Sequence, residues 1–530
     1  MTSTHTMTWE ELVTSALLGT DRRPTSAGDF PLLDAAALQT VRRRAGLLPA
    51  VAAVPPPPAP DDPRPEPPEP ARRRLAQLLA GRSGPQGSGG RRGAAPDLTE
   101  LLPQWLAVAL RHGYRAPASQ LDALLDAARS RTDLRPQALA FAGARGLWLA
   151  RLNPEWKFAL RSTPGGAGLP APTDTEAVRN LWEEGLFAER VALLTAVRSD
   201  APAAGIDLLT TTWSTERAED RLMFLDSLRT DLVVEDEPFL ERALADRSRN
   251  VRSTAAELLS ALPTSALAAR MADRAMTCIS LDLSEDQARI SVEAPHECDA
   301  AMQRDGVSAV PPGGRGERSW WLGQLVEAAP LGVWSSRLGG RPPGRIVALP
   351  VADGWGEELH AAWCRAAVRQ RDTAWSRALL SGPGTASLAE RAKLLAALPE
   401  GERACWVAEF IAGNGLSEAF QLLAVCDVPW SEPLGRAVMD ALEIARDAGS
   451  YPWSFSGVMG LAERCLNPME ASRLEALTAI PDEPEGASPG AGGYWSEAFQ
   501  RLVSTLRLRA AMAAELSGEV TSPEEMNAGA

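Results

Sequence analysis

Along most of the chain apolar residues recur every three or four positions, the period of an α-helix that buries one face. The stretch DRLMFLDSL, residues 220–228, shows it well. Leu222, Phe224, Leu225 and Leu228 fall within less than half of a helix circumference. An acid and an arginine open the stretch, and ERVALLTAV (189–197) and ERAKLLAAL (390–398) open the same way. An acid in a first helical turn is favoured by the helix dipole. Arg190, Arg221 and Arg252 stand 31 residues apart, twice in succession, and each opens an apolar-periodic helix. Second helices are predicted in APAAGIDLLTTTW and DEPFLERALADRS, which follow the first two. One such hairpin cannot bury its apolar face alone, and a stacked neighbour removes roughly 1.5–3 kcal/mol of exposure per large side chain. The predicted fold is mainly α, an α–α solenoid built from repeated hairpins, with a small β-containing insert.

The third unit, ALADRSRNVRSTAAELLSALP (243–263), resembles a HEAT repeat. Asp246 matches the turn aspartate of such repeats, and Val251 and Arg252 match the opening of their second helix. Val251, Ala255, Leu258, Leu259 and Leu262 form the inner stripe. The resemblance makes the expected solenoid HEAT-like. It implies that Asp246 and Arg252 hydrogen-bond across the stack, so that these two, with Arg190 and Arg221, are structural repeat residues rather than a catalytic pair.

The pattern divides the chain. Residues 1–53 read as an N-terminal helical module, in which Trp9, Leu12, Val13 and Ala16 form a stripe extended by Leu17 and Leu18. Residues 54–97 read as a disordered Pro/Gly-rich linker: the prolines of VPPPPAPDDPRPEPPEP remove donors and fix φ, and GRSGPQGSGGRRG is a flexible tether. Within it, 72–79 has the pattern of one short helix. A helical module spans 98–163, a linker 164–175 and the HEAT-like repeats 176–277. Residues 278–350 form the insert, with a β-hairpin in CISLDLSEDQARISVEAP and a further strand expected in RIVALPV (345–351). C-terminal helical repeats follow over 351–480, then a linker (481–493), a terminal helix (494–517) and a disordered tail (518–530).

Composition narrows the function. No apolar run approaches the roughly 20 residues a spanning helix needs, and the first residues lack the pattern of a signal peptide, so a cytoplasmic protein is expected. Six scattered cysteines without a CxxC pair read as reduced, mostly buried thiols. The net charge is −14, but unevenly spread: residues 1–163 carry 21 basic and 15 acidic residues, and the rest is strongly acidic. That balance argues against broad nucleic-acid binding. Lys157 and Lys393 are the only lysines; all other positive side chains are arginine.

Tests for chemistry return little. There is no GxxxxGK[ST], no GxSxG and no HExxH, so no catalytic residue and no cofactor is assigned. Cys278, His296 and Cys298 lie near the expected hairpin, and His360 and Cys364 are four apart on an expected helix. They are candidate ligands of a His/Cys zinc site, though HxC is not a zinc-ribbon spacing and buried thiols with surface imidazoles are the simpler reading. Trp148, Trp156, Trp320 and Trp321 are candidates for a partner surface; helix–helix packing is the competing reading. The expected function is a non-catalytic helical-repeat scaffold. The alternative is an enzyme or a metal- or ligand-binding protein with its site in 278–364.

Two further stretches, TSALLGTDRRP (14–24) and RGLWLARLNPEW (145–156), together with the HEAT-like unit, resemble a bacterial domain-of-unknown-function family of high-GC genomes. That resemblance spans most of the chain. Genes of that family often lie beside ones for a SWIM zinc-finger protein, a MoxR-type AAA ATPase and a von Willebrand factor A (VWA) protein, which implies protein partners of those kinds. It carries over no catalytic residue.

Overall fold

The computed structural model describes residues 8–19, 32–46, 58–59, 61–80, 98–161, 169–170, 173–284, 287–382, 387–480 and 489–518. The expected tether (81–93) and most of the expected tail and linkers lie outside these residues. Helices take up 73% of the described residues, and one small two-stranded sheet lies among them. Residues 1–60 and 61–530 are two compact units.

The first unit holds two helices, Trp9–Leu18 and Leu32–Arg44. Thr8 caps the first in a reciprocal box with Glu11. Arg43 lies 4.7 Å from the Trp9 ring. Of the stripe read from the sequence only Leu12 is buried; Trp9, Val13, Leu17 and Leu18 are exposed. Two short helices have too little facing surface to cover a whole stripe.

The second unit contains three apolar cores. The largest gathers side chains from Val178 to Leu394. Its helices follow one another in space: Ala218–Ser227 packs on Phe187–Asp200 and on Arg249–Ser260. Arg249–Ser260 packs in turn on Glu237–Ala243 and Ala266–Cys278. Phe224, Leu225 and Leu228 are fully buried, while Met223, on the far side of the same helix, is exposed. The series continues through Glu317–Ala328 and Gly356–Gln370 to Leu388–Ala396.

Within this core Ile279–Asp282 pairs antiparallel with Arg289–Val292, Ile279 opposite Val292. Asp282 and Arg289 form an ion pair at the turn end, 2.9 Å. The further strand expected at 345–351 does not form. Pro343–Val347 is a helix, opened by proline at its start, with Ile346 and Val347 both buried. Adjacent buried positions suit a helix wedged between neighbours, whereas a strand would turn them to opposite faces. The end of 345–351 meets the sheet through one isolated parallel bridge of Val351 to Ile290, whose N–H donates to the Pro350 carbonyl (2.8 Å).

The segment expected to be an unpacked linker is partly built into the fold. Residues 61–68 lie against a break in the helix Arg135–Leu152, where Gly143 takes φ 60°, ψ −156°. The break frees carbonyls, and the Arg64 guanidinium donates to that of Ala140 (2.9 Å) while the Ala116 N–H donates to that of Phe141 (2.9 Å). A Cβ on Gly143 would stand 2.5 Å from the Arg64 guanidinium and 2.7 Å from the Asp62 carboxylate. The helix Glu69–Ala80 follows and buries Ala71, Leu75, Leu78 and Leu79. Its partners are Leu98–Arg111 and the long last helix, Ala491–Ser517.

That last helix joins two cores. Trp495, Phe499, Leu502 and Leu506 enter the C-terminal core, whereas Met512 and Leu516 enter the core of residues 71–159. Arg74 pairs with Glu515 (2.7 Å), and the Tyr114 hydroxyl donates to the Leu516 carbonyl (3.0 Å). The early and late parts of the second unit thus share one packing surface.

Candidate functional site

The repeat arginines form a ladder. Arg190 reaches Glu216 and Thr212, with its guanidinium 4.5 Å from the Trp182 ring. Arg221 donates to the Glu216 carbonyl in the turn before its own helix (2.7 Å) and to the Asp246 carboxylate in the turn before the next (3.1 Å). Arg252 donates to the carbonyls of Asp246 (2.7 Å) and Arg247 (3.1 Å). Asp246 also accepts from the Ser248 N–H. Arg190 and Arg221 each tie a helix start to the following turn, whereas Arg252 closes the turn before its own helix, so the Asp246 carboxylate is reached across the stack by Arg221 and not by Arg252. A deeper pair, Arg198 with Asp236, is wholly buried at 2.8 Å, and Arg198 also donates to the carbonyls of Pro202 and Asp231. The sequence reading missed it, although Arg198 and Arg229 repeat the same 31-residue interval.

The suggested metal ligands do not assemble. Among the described residues no group of three or more His, Cys, Asp or Glu side chains is placed to hold a metal ion. Cys278 is buried, and burial pushes its thiol up. His296 is exposed and pairs with Glu293 (3.2 Å). The Cys298 thiol is also pushed up by burial. Burial holds the His360 imidazole below its ordinary value, against a hydrogen bond with the Val347 backbone that acts the other way, and its ring packs 5.7 Å from that of Trp363. Burial pushes the Cys364 thiol up to about 11, so it is the neutral thiol at pH 7 and not a thiolate nucleophile.

The tryptophans divide. Trp320 and Trp321 donate to the carbonyls of Ser308 and Ala309, both at 2.9 Å, and so pin the loop ahead of their helix. Trp321 is buried there and offers no partner surface. Trp156 donates to the Asp126 carboxylate (3.0 Å) and rests on the first core of the second unit. Trp148 is half-buried.

The feature that stands apart from packing is a cleft of about 490 Å³. Arg229, Glu257 and Leu258 bound it on one side, from the ends of Ala218–Ser227 and Arg249–Ser260. Glu327 of Glu317–Ala328 and Cys364, Arg365, Val368 and Arg369 of Gly356–Gln370 form its floor. Arg371, Glu390 and Lys393 form the far rim. Arg229 clasps Glu257 with both guanidinium arms, 2.8 and 3.0 Å, and this hydrogen bonding lowers the Glu257 carboxyl. Arg365 and Arg369 converge on Glu327. Glu390 accepts from the Ser387 N–H and hydroxyl. Five cationic groups therefore meet three carboxylates. The surplus sits on Arg371 and Lys393, exposed and without an ion-pair partner among the described residues. Arg371 ends its helix in the left-handed region, φ 50°, where glycine is the usual residue. A basic cleft here runs against the charge of the acidic part of the chain that builds it. Arg365 and Arg369, four apart on one helix face, and the rarity of lysine were the signals open to sequence reading.

The family profile of a family of unknown function (DUF5691) matches residues 11–516. The chain belongs to that family. Its match takes in both the arginine ladder and the cleft. No curated protein and no solved structure matches the chain.

Proposed function

We propose that this DUF5691 protein is a non-catalytic scaffold, a HEAT-like α–α solenoid over residues 176–277 that continues in the helices beyond 351 and holds protein partners in a bacterial multi-protein system. The observation that carries this reading is the arginine ladder. Arg190, Arg221 and Arg252 stand at helix starts at one fixed interval; the first two bridge to the next turn and the third closes the turn that Arg221 reaches, an arrangement suited to holding a stack of hairpins in register. The cleft adds support of a second kind, since its one cysteine is held as a neutral thiol and the rest of its lining is charged and apolar side chains suited to recognition. The partner kinds implied by the family resemblance, a MoxR-type AAA ATPase, a VWA protein or a SWIM zinc-finger protein, are the first to test, and a cytoplasmic setting accords with them.

The test is purification of the tagged protein at native abundance after mild crosslinking, with the mass of the assembly measured. A complex of fixed stoichiometry is the expected result. Recovery of the protein alone, under conditions that preserve a known complex from the same cells, overturns the scaffold.

A further inference from the structure

We infer that the cleft between Arg229 and Lys393 is the docking site for an acidic linear segment of a partner protein, one that carries carboxylates beside apolar side chains. The inference rests on the scaffold reading and names the chemistry of one of its contacts.

Three observations converge. The first is charge: the cations lining the cleft outnumber its carboxylates, and the excess is on Arg371 and Lys393, which no described side chain neutralises. The second is the character of the wall. Leu232, Leu258 and Val368 lie among the charges, so the cleft offers apolar contact as well as donors. Its volume of about 490 Å³ suits a few side chains of an extended segment. The third is precedent within the cleft. Glu257 and Glu327 already lie in guanidinium clasps there, so a carboxylate delivered to Arg371 and Lys393 repeats chemistry that the site performs on its own chain.

The same carboxylates select among anions. Glu257, Glu327 and Glu390 repel any incoming negative charge at short range, and a compact dianion such as a phosphate meets that repulsion twice over. Single charges spaced along a peptide can each sit on one spare cation. The surplus of two cations suits a pair of carboxylates.

Lysine rarity supplies a direct readout. Lys393 lies on the rim and the other lysine, Lys157, is exposed on a helix of a different core. The experiment uses the full-length protein, a short fluorescein-labelled peptide of alternating Glu and Leu with its amino end blocked, and inorganic pyrophosphate as the competing anion. Binding is followed by fluorescence anisotropy, and lysine acetylation by N-hydroxysuccinimide acetate is followed by peptide mass spectrometry. The peptide is expected to bind, to weaken as salt is raised, and to slow acetylation of Lys393 while Lys157 reacts as before. The paired charge reversal Arg371→Glu with Lys393→Glu is expected to weaken binding by about tenfold or more. Arg371→Gly, which fits the left-handed helix end, guards against a folding artefact and is expected to weaken binding less.

Equal acetylation of both lysines with and without peptide overturns the inference, as does binding unchanged by the charge reversal. Protection of Lys393 by pyrophosphate but not by the peptide overturns it in favour of a phosphate ligand. The charge-reversed protein is then purified from cells beside the wild type. A complex lost only from the variant supports the cleft; a complex kept by both overturns the cleft and leaves the scaffold standing. No complex with either is failure of the scaffold reading itself.

Discussion

Helices Ala218–Ser227 and Arg249–Ser260 carry arginine–carboxylate pairs at both ends, and the two ends behave differently. At their starts Arg221 meets Asp246 at 2.9 Å, with side chains 9% and 7% exposed. At their far ends Arg229 meets Glu257 at 2.8 Å, with side chains 41% and 43% exposed. The distances are nearly equal, so geometry does not separate them; solvent does. Water screens the second pair and leaves it free to rearrange around a ligand, while the first pair is held in place by what its loss would leave behind. The same residue types therefore serve packing at one end of these helices and, in the function proposed above, recognition at the other.

The sharpest break of this comparison is at its buried extreme. Asp236→Ala leaves the Arg198 guanidinium, 1% exposed, without its carboxylate. A loss of about 3–5 kcal/mol in unfolding free energy is expected, read as a lower urea midpoint with an unchanged slope. A loss below about 1 kcal/mol would mean that water enters the site and that burial is not what separates the two ends.

The ladder itself comes next. Asp246→Ala strands Arg221 and removes the acceptor of the Ser248 N–H, and a loss of about 3 kcal/mol is expected. Glu257→Gln at the opposite end is expected to cost less than about 1 kcal/mol. Equal costs would erase the distinction.

How much of this was legible follows from the range of the interactions. The ladder was legible because it repeats: Arg190, Arg221 and Arg252 mark a period on the chain, and the 243–263 unit spells out the stripe that Val251, Ala255 and Leu259 bury. The two-stranded hairpin was legible from its alternation. Contacts between distant segments were not. Nothing local in ARRRLAQLLA announces that Arg74 will meet Glu515, 441 residues on. The prolines of 61–68 correctly signalled extended chain, but extended chain is not the same as unpacked chain, and Arg64 shows the difference by capping a carbonyl of a helix 76 residues away. The cleft was hidden for the same reason, since its walls come from four helices and from the segments that follow Ala218–Ser227, Arg249–Ser260 and Gly356–Gln370. Arg371 and Lys393 became notable only once their neighbours were seen to leave them unpaired.

Arg64 offers a third case, a guanidinium that satisfies backbone rather than a carboxylate partner across the fold. Its place depends on Gly143, whose φ 60°, ψ −156° is open to glycine almost alone. Gly143→Ala adds backbone strain and puts a methyl against Arg64 and Asp62, with an expected cost of about 2–3 kcal/mol. Limited proteolysis would detect the displaced segment as new cleavage within 61–68. A variant as stable as the wild type, with that segment still protected, would show that the helix break does not depend on Arg64.

The exposed pair also has a pH signature. The Arg229 hydrogen bonds hold the Glu257 carboxyl below the ordinary 4.5, so the folded state keeps the charge to lower pH than the unfolded chain does. The stability this gives is fully present above that ordinary value and is lost as pH falls through the lower folded value. The small difference between wild type and Glu257→Gln should therefore hold at neutral pH, shrink in acid and shrink again with added salt. A difference that persists in acid would mean that Glu257 acts through packing rather than charge.

The smallest expected effect lies on the rim and runs in the opposite direction. Arg371 holds a left-handed conformation with no carboxylate to reward it. An L-residue with a Cβ is disfavoured there by roughly 1 kcal/mol, and glycine is not, although glycine gives part of this back through the greater freedom of the unfolded chain. Arg371→Gly is therefore expected to leave stability unchanged or raise it by up to about 1 kcal/mol, while Lys393→Ala, on an exposed helix face, changes it by less than about 0.5 kcal/mol. Thermal melts of the two variants decide the point. A marked loss from either would reveal a structural partner for that cation and remove it from the surplus on which the cleft's recognition depends. Neutral or stabilising outcomes would mean that arginine is held in an unfavoured conformation at the rim without benefit to the fold, which is the pattern of a residue kept for what it binds.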